Sequence, residues 1–210
     1  MSSFVTTEDK KYYRIDWQPS PTYTPISESD FYKSSGYKKT DIQNLRKSVY
    51  PTQGNDYLLL KADGKYFPVD YKLVPFVKYL WQQNIQTEGW NQPDEFNNGF
   101  VSMNHYTKKK ESTLSLLQDK LKGISMKVLD RREDLLEQDS LVNKKIENLN
   151  KKGVLVIELF AHFISITMND KVLEKIYSHL GLQKNEDKLR GGVIISTDYF
   201  KQNKIHKKKS

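Results

Sequence analysis

Cysteine is absent from all 210 residues. That removes disulfides, thiolate metal ligands and a thiol nucleophile together. No apolar run reaches the roughly 18–20 residues that a spanning helix needs. The most apolar stretch, Val154 to Met168, is 15 residues long and contains Glu158 and His162. The opening residues, Met-Ser-Ser-Phe-Val-Thr-Thr-Glu-Asp-Lys-Lys, hold no apolar h-region, and no Asn-x-Ser/Thr acceptor occurs. These absences set the expectation of an intracellular chain without membrane contact. Histidine is scarce, with only His105, His162, His179 and His206. No two are three or four residues apart, and none has an acid at ligand spacing, so neither a metal site nor a catalytic histidine is expected. The G-x-S-x-G elbow, the Walker A loop and G-x-G-x-x-G are missing as well. Acyl transfer, P-loop chemistry and dinucleotide binding therefore have no handle here, and no cofactor is expected.

What is present is charge, at 29% of residues, with 34 Lys and Arg against 26 Asp and Glu. The net +8 is unevenly spread: residues 1–56 carry +1, residues 57–200 carry +2, and the last ten residues carry +5. A nearly neutral body with a basic tail does not describe a basic nucleic-acid-binding face. Two lysine runs stand out, Lys108, Lys109 and Lys110, and Lys204, Lys207, Lys208 and Lys209 beside Lys201. Both are compatible with phosphate contacts or nuclear import, and equally with a solvated surface. The expectation for nucleic acid is weak, sequence-independent contact through these residues.

Three segments are distinguished: an extended N-terminal arm at 1–56, an α+β body at 57–200, and a basic tail at 201–210. In the arm, Pro19, Pro21, Pro25 and Pro51 break any long helix, and only the run from Thr40 looks helical, opening with a Thr-x-x-Gln capping box. The arm is nevertheless rich in aromatics, which disordered tails usually lack. Tyr12, Tyr13, Trp17, Tyr23, Phe31 and Tyr32 read as anchors, docked on the chain's own core or on a partner subunit.

The body opens with a hairpin whose Asp63-Gly64 favours a type I′ turn. Strand Lys65–Phe67 leads to a helix with Leu73, Phe76, Val77, Leu80 and Trp81 on one face. Asp70 is its expected N-cap and Asn84 its left-handed stop, with Pro75 confined to the first turns. Further expected elements are a helix over Thr107 to Lys122, a strand from Ile124, and a helix over Arg131 to Lys151 that carries Leu135, Val142, Ile146 and Leu149. Two apolar strands follow (Val154 to Leu159 and Phe163 to Met168), then a helix capped at Asn169 or Asp170 and closed by Gly181, and a strand at Val193. This βαββαβ order suggests ferredoxin-like units, 57–129 and 124–196, with a mainly antiparallel sheet.

Paired carboxylates at Asp94-Glu95, Glu133-Asp134 and Glu186-Asp187 read as solvated. Glu158 differs, because it interrupts the apolar run Val154-Leu-Val-Ile-Glu-Leu-Phe160. A carboxylate there needs a partner or a shifted pKa, and is a conceivable functional acid. An outward-facing place on a half-exposed strand is the preferred reading. Lys184, Lys188 and Arg190 before Gly191-Gly192 offer a further, weak anion site.

The fragments Phe67-Pro-Val-Asp70, Leu73-Val-Pro75, Lys78-Tyr-Leu-Trp81 and Asn84-Ile-Gln-Thr87 resemble a short module of uncharacterised proteins from large DNA viruses and phages. The resemblance covers about residues 65–105. Such modules often carry Cys and Gly after the Thr; here Gly89-Trp90 stands there without a cysteine. The resemblance implies a viral origin, with host cytoplasm, virion or nucleus as the compartment, and no defined activity. Together the residues favour a non-enzymatic binding or assembly protein. The alternatives are weak nucleic-acid binding, and an enzyme whose acids converge from distant positions.

Overall fold

The computed structural model describes residues 2–6, 10–16, 22–48, 57–62, 65–91, 98–107, 109–132, 139–184 and 193–196. In chain order the elements are β1 (Ser2–Thr6), β2 (Tyr12–Asp16), β3 (Thr22–Pro25), α1 (Glu28–Ser35), α2 (Lys39–Ser48), β4 (Tyr57–Ala62) and β5 (Lys65–Asp70). A 3-10 turn (Tyr71–Leu73) then leads into α3 (Val74–Gln82), β6 (Thr87–Asn91), β7 (Gly99–Met103), α4 (Thr113–Lys120) and β8 (Met126–Asp130). Last come α5 (Asp139–Lys151), β9 (Leu155–Leu159), β10 (Ile164–Met168), α6 (Asp170–Leu180) and β11 (Val193–Ser196). They fall into two compact units, one built from the described residues up to Val74 and from Gln183 on, the other from Pro75 to Leu182.

In the first unit β11, β1, β2 and β3 form an antiparallel sheet in that order. The described part of residues 1–56, expected to be an extended arm, is thus sheet and helix. The prolines that rule out a long helix do not rule out strands, and Pro25 ends β3 at the sheet edge, where a missing N–H costs no ladder bond. The aromatics form the unit's core. Phe4, Phe31 and Ile42 are buried together, with Tyr12, Ile26, Tyr32 and Tyr37 packed against them. The Phe31 ring lies 5.1 Å from Tyr12 and meets Tyr32 edge-on at the same distance, the arrangement that ring quadrupoles favour. Helix α1, not expected from the sequence, is closed at both ends. Ser27 accepts from the Asp30 amide at 3.0 Å, and Gly36 turns left-handed at φ 72°. Helix α2 begins at Lys39, ahead of the expected Thr40 cap, and the Asp41 carboxylate accepts from the Lys38 amide at 2.9 Å.

β4 and β5 form the expected hairpin, with Ala62 opposite Lys65. This two-stranded sheet is separate from that of β6 to β10. A ferredoxin-like unit starting at Lys65 needs β5 in the same sheet as its successors, so the expected pairing is corrected here.

The second unit is a five-stranded sheet in the order β6-β7-β10-β9-β8. All neighbours are antiparallel except β8 and β9, which run parallel with α5 as their crossover. The α+β class and the mainly antiparallel character therefore hold. Alternation divides the sheet into two faces. Val101, Met103, Ile164, Ile166, Met168, Leu155 and Ile157 point to one face and are at most 1% exposed. On the other, α5 lays Ile146, with Val142 and Leu149, against Leu129 and Val156. Trp81 closes α3 onto β6 by donating its indole N–H to Thr87 Oγ1 at 2.9 Å, both residues being buried.

Helix boundaries follow their caps. Asn84 does take a left-handed φ of 63°, whereas Asp70 makes no side-chain cap bond. α4 begins at Thr113 and not at Thr107, because Ser112 caps the Ser115 amide and Lys110 leaves the helical region at φ 61°. α5 is described only from Asp139. At α6 the expectation holds: Asn169 Oδ1 accepts from the Val172 amide at 3.0 Å, and Gly181 ends the helix at φ 63°.

Candidate functional site

α5 covers only one side of the polar sheet face. Beyond it, over β10 and β7, the face opens into a cleft of about 840 Å³, within the ~300–1,000 Å³ range of small-molecule sites. Strand register builds its floor in rows. Ser165 and Glu158 stand opposite each other on β10 and β9, and Phe100 and Thr167 pair across β7 and β10 in the next row. The sequence Ile164-Ser-Ile-Thr-Met168 produces this, since alternate residues of a strand face opposite sides.

Glu158 is the fixed point of the floor. It is buried, and both carboxylate oxygens are engaged: Arg131 donates to Oε1 at 2.9 Å and Thr167 to Oε2 at 2.6 Å. The preferred outward-facing reading of Glu158 is therefore corrected. The carboxylate lies inward and is held by the partner that such a position requires. The Arg131 guanidinium also lies over the Phe160 ring, 5.2 Å from its centroid, and Phe160 stacks on Phe163 at 4.4 Å and 18°. Arg131, Phe160 and Phe163 thus form a layered wall. His105 Nε2 donates to the Phe160 carbonyl at 2.6 Å, tying the β9–β10 hairpin to the end of β7. That bond requires the Nε2–H form of the ring.

The opposite wall is the α5 line Asn143, Glu147 and Lys151, spaced by four residues and therefore on one helical face. At the end of β10, Asn169 is fully used. Its Oδ1 caps α6 and its Nδ2 donates to the Asn150 carbonyl at 3.0 Å. Ser165 differs. It lines the cleft, is 94% buried by its 6% exposure, and its hydroxyl has no bond to another protein group.

The chain matches no protein-family model, no curated protein and no solved structure.

The residues singled out in the sequence lie elsewhere. Phe31 and Tyr13 are buried in the first unit, Tyr12 and Tyr32 are half-buried there, and Tyr23 is half-buried on β3. Lys109 and Lys110 are exposed on the turn before α4. Trp17, Lys108, Lys204, Lys207, Lys208, Lys209, the pairs Asp94-Glu95, Glu133-Asp134 and Glu186-Asp187, and the Lys188-to-Gly192 stretch lie outside the described residues. Only Glu158 among the sequence candidates lines the cleft. Among the described residues, no three of His, Asp and Glu converge as a metal site, and no helix is long and apolar enough to cross a membrane. At the end of β8, the fully exposed Asp130 carboxylate is held down to about 2 by the hydrogen bonds and charge of Arg132.

Ser165, Thr167, Phe100, Phe160 and Phe163 escaped the sequence reading. Their signal was the polar parity of β10, Ser and Thr alternating with Ile and Met, beside the matching Glu158 parity of β9.

Proposed function

We propose that the chain is a non-enzymatic binding protein, and that the open face of the five-stranded sheet is its recognition surface. The observation carrying this reading is the state of Glu158. With one oxygen on Arg131 and the other on Thr167, the carboxylate fixes the floor and the aromatic wall and is committed to neither proton transfer nor a ligand. A preformed concave face with an aromatic wall and a few placed polar groups is the usual form of a small-molecule site. The test is a fragment screen followed by backbone amide shifts of the isotope-labelled chain. Bound fragments are expected to move Phe100, Phe163, Ser165 and Thr167 together. Hits that leave these four unmoved, or steady turnover of a cleft ligand, would end the reading.

A second property is proposed for the lysine runs, weak and sequence-independent contact with nucleic acid. What supports it is the placement of charge: Lys109 and Lys110 are exposed, and five of the net eight positive charges fall in residues 201–210.

A further inference from the structure

Among the described residues, the charges lining the cleft cancel. Glu158 is neutralised by Arg131 at 2.9 Å, and on the rim Lys151 and Lys171 are matched in number by Glu147 and Asp170. Those residues together offer no net field to draw in an anion or a cation. Its uncharged polar groups are hydroxyls and carboxamides, which both donate and accept. Ser165 is the most telling, a hydroxyl in a nine-tenths buried side chain on the floor, without a protein partner. Its oxygen is not among the fully buried unbonded atoms, so a hydroxyl that the protein leaves without a bond is open to a ligand from the cleft. Asn143 on the α5 wall and Asn98 at the mouth carry the same two-way chemistry. Flanking them are Phe163 and Phe100, large apolar side chains left 36% and 39% exposed. Exposed rings beside unfilled two-way hydrogen-bonding groups are complementary to a molecule that is uncharged, carries many hydroxyls, and has one flat apolar face.

From these features we infer that the cleft binds a neutral saccharide, with the carbon–hydrogen face of a pyranose ring on Phe163 and a sugar hydroxyl bonded to Ser165. This rests on the binding reading above and narrows it to one ligand class. A phosphorylated sugar or a nucleotide fits less well. The N-terminus of α6, the natural anion site nearby, is already capped by Asn169 and carries Asp170 in its first turn.

The whole chain, isotope-labelled, is titrated with maltotriose, cellobiose, mannobiose and N,N′-diacetylchitobiose, and separately with adenosine and uridine, each to roughly 10 mM, about ten times a 1 mM Kd. At least one saccharide is expected to give saturable shifts at Phe163, Ser165 and Thr167. Its affinity should be unchanged between about 50 and 500 mM salt, because no exposed ion pair with the ligand is there to be screened. Phe163→Ala should weaken it about tenfold, as expected for an aromatic anchor, and Ser165→Ala about fivefold, the value of one hydrogen bond. Phe163→Leu keeps the bulk without the flat ring and should weaken binding as well. Ser165→Ala removes a single oxygen and keeps the test valid if the Phe163 variants fail to fold. If adenosine or uridine moves these residues and no saccharide does, the saccharide assignment is wrong while the cleft still binds. If neither class moves them, the saccharide assignment also falls, and the fragment screen decides separately whether the cleft binds anything. Affinity that collapses with salt, or that survives both Phe163→Ala and Ser165→Ala, likewise overturns it.

Discussion

A carboxylate and a guanidinium that are each more than nine-tenths buried have both lost hydration, so their pairing offsets a cost that either alone would carry in full. Arg131→Met therefore leaves the Glu158 charge stranded under the cleft and is expected to destabilise the fold by about 3–5 kcal/mol. Adding Glu158→Gln removes the stranded charge and should recover part of that loss. Urea midpoints of the two variants check it, and a single-variant loss below about 1 kcal/mol would place the pair in the class of solvated surface bridges. Lys78 shows the opposite behaviour. It is 3% exposed, and burial lowers its pKa from 10.5 to about 7. Between those two values the unfolded chain binds the proton and the folded chain does not, so stability rises with pH across that window and the gain is complete near pH 10.5. The rise is expected to be a few kcal/mol, and it should disappear in Lys78→Met. A flat profile for the unmodified chain from pH 7 to 10 contradicts this. The sequence hid both cases. A lysine on an amphipathic helix reads as its wet side, and a lone glutamate in an apolar strand does not reveal an arginine 27 positions earlier.

Caps were the most legible feature at the scale of single elements, and they carry most of the legible boundaries. Asn169 before α6 and Gly181 after it, Asn84 after α3, and Gly153 after α5 all stand where local chemistry put them. α1 escaped for the opposite reason. Its proline-rich surroundings concealed the signals Ser27-x-x-Asp30 and Gly36, which were present in the letters. Two of these boundaries also support the cleft. Asn169→Ala removes the cap on the Val172 amide and the bond to the Asn150 carbonyl, and is expected to cost about 1–2 kcal/mol. Gly153→Ala adds a second kind of strain. Its φ is 76°, and the new Cβ would lie 2.5 Å from Lys175 Nζ, the group that donates to the Gly153 carbonyl at 3.2 Å at the C-terminal end of α5. Gly36→Ala serves as the control, since it shares the left-handed φ of 72° but meets nothing within 4 Å. Both should lose stability, Gly36→Ala by about 1–2 kcal/mol and Gly153→Ala by more. Equal melting-temperature losses would mean that the Lys175 contact to the α5 terminus contributes nothing.

Across the whole molecule, element order and the β4–β5 hairpin were readable, and the strand order of the larger sheets was not. Hydrophobic period distinguishes strand from helix, and Asp63-Gly64 announces the β4–β5 pair, but nothing local in β5 says that, among the described residues, it stays out of the sheet of β6 to β10. Nor does anything local place β10 between β7 and β9; that is decided by which faces remain to be covered once the chain has collapsed. Charge is the global property the sequence does settle, and it yields the last prediction. Residues 1–200 carry a net +3 and residues 201–210 carry +5, so electrostatic attraction to a polyanion is concentrated at one end. Nucleic-acid binding by the whole chain is expected to be weak and indifferent to sequence, because phosphate contacts position a protein without reading bases. Four to seven lysine–phosphate contacts give a log–log salt slope of about −4 to −6 on duplex DNA, a fall of about 10²–10³ or more between roughly 50 and 200 mM salt. A chain ending at Phe200 keeps the exposed Lys109 and Lys110, and should show a slope no steeper than about −3 with little retained affinity. The measurement is fluorescence anisotropy of labelled duplexes of two unrelated sequences, for both chain lengths, across that salt range. Binding that survives the truncation, prefers one duplex, or moves the Ser165 and Phe163 resonances would transfer nucleic-acid recognition from the tail to the sheet face, against the charge balance of the cleft.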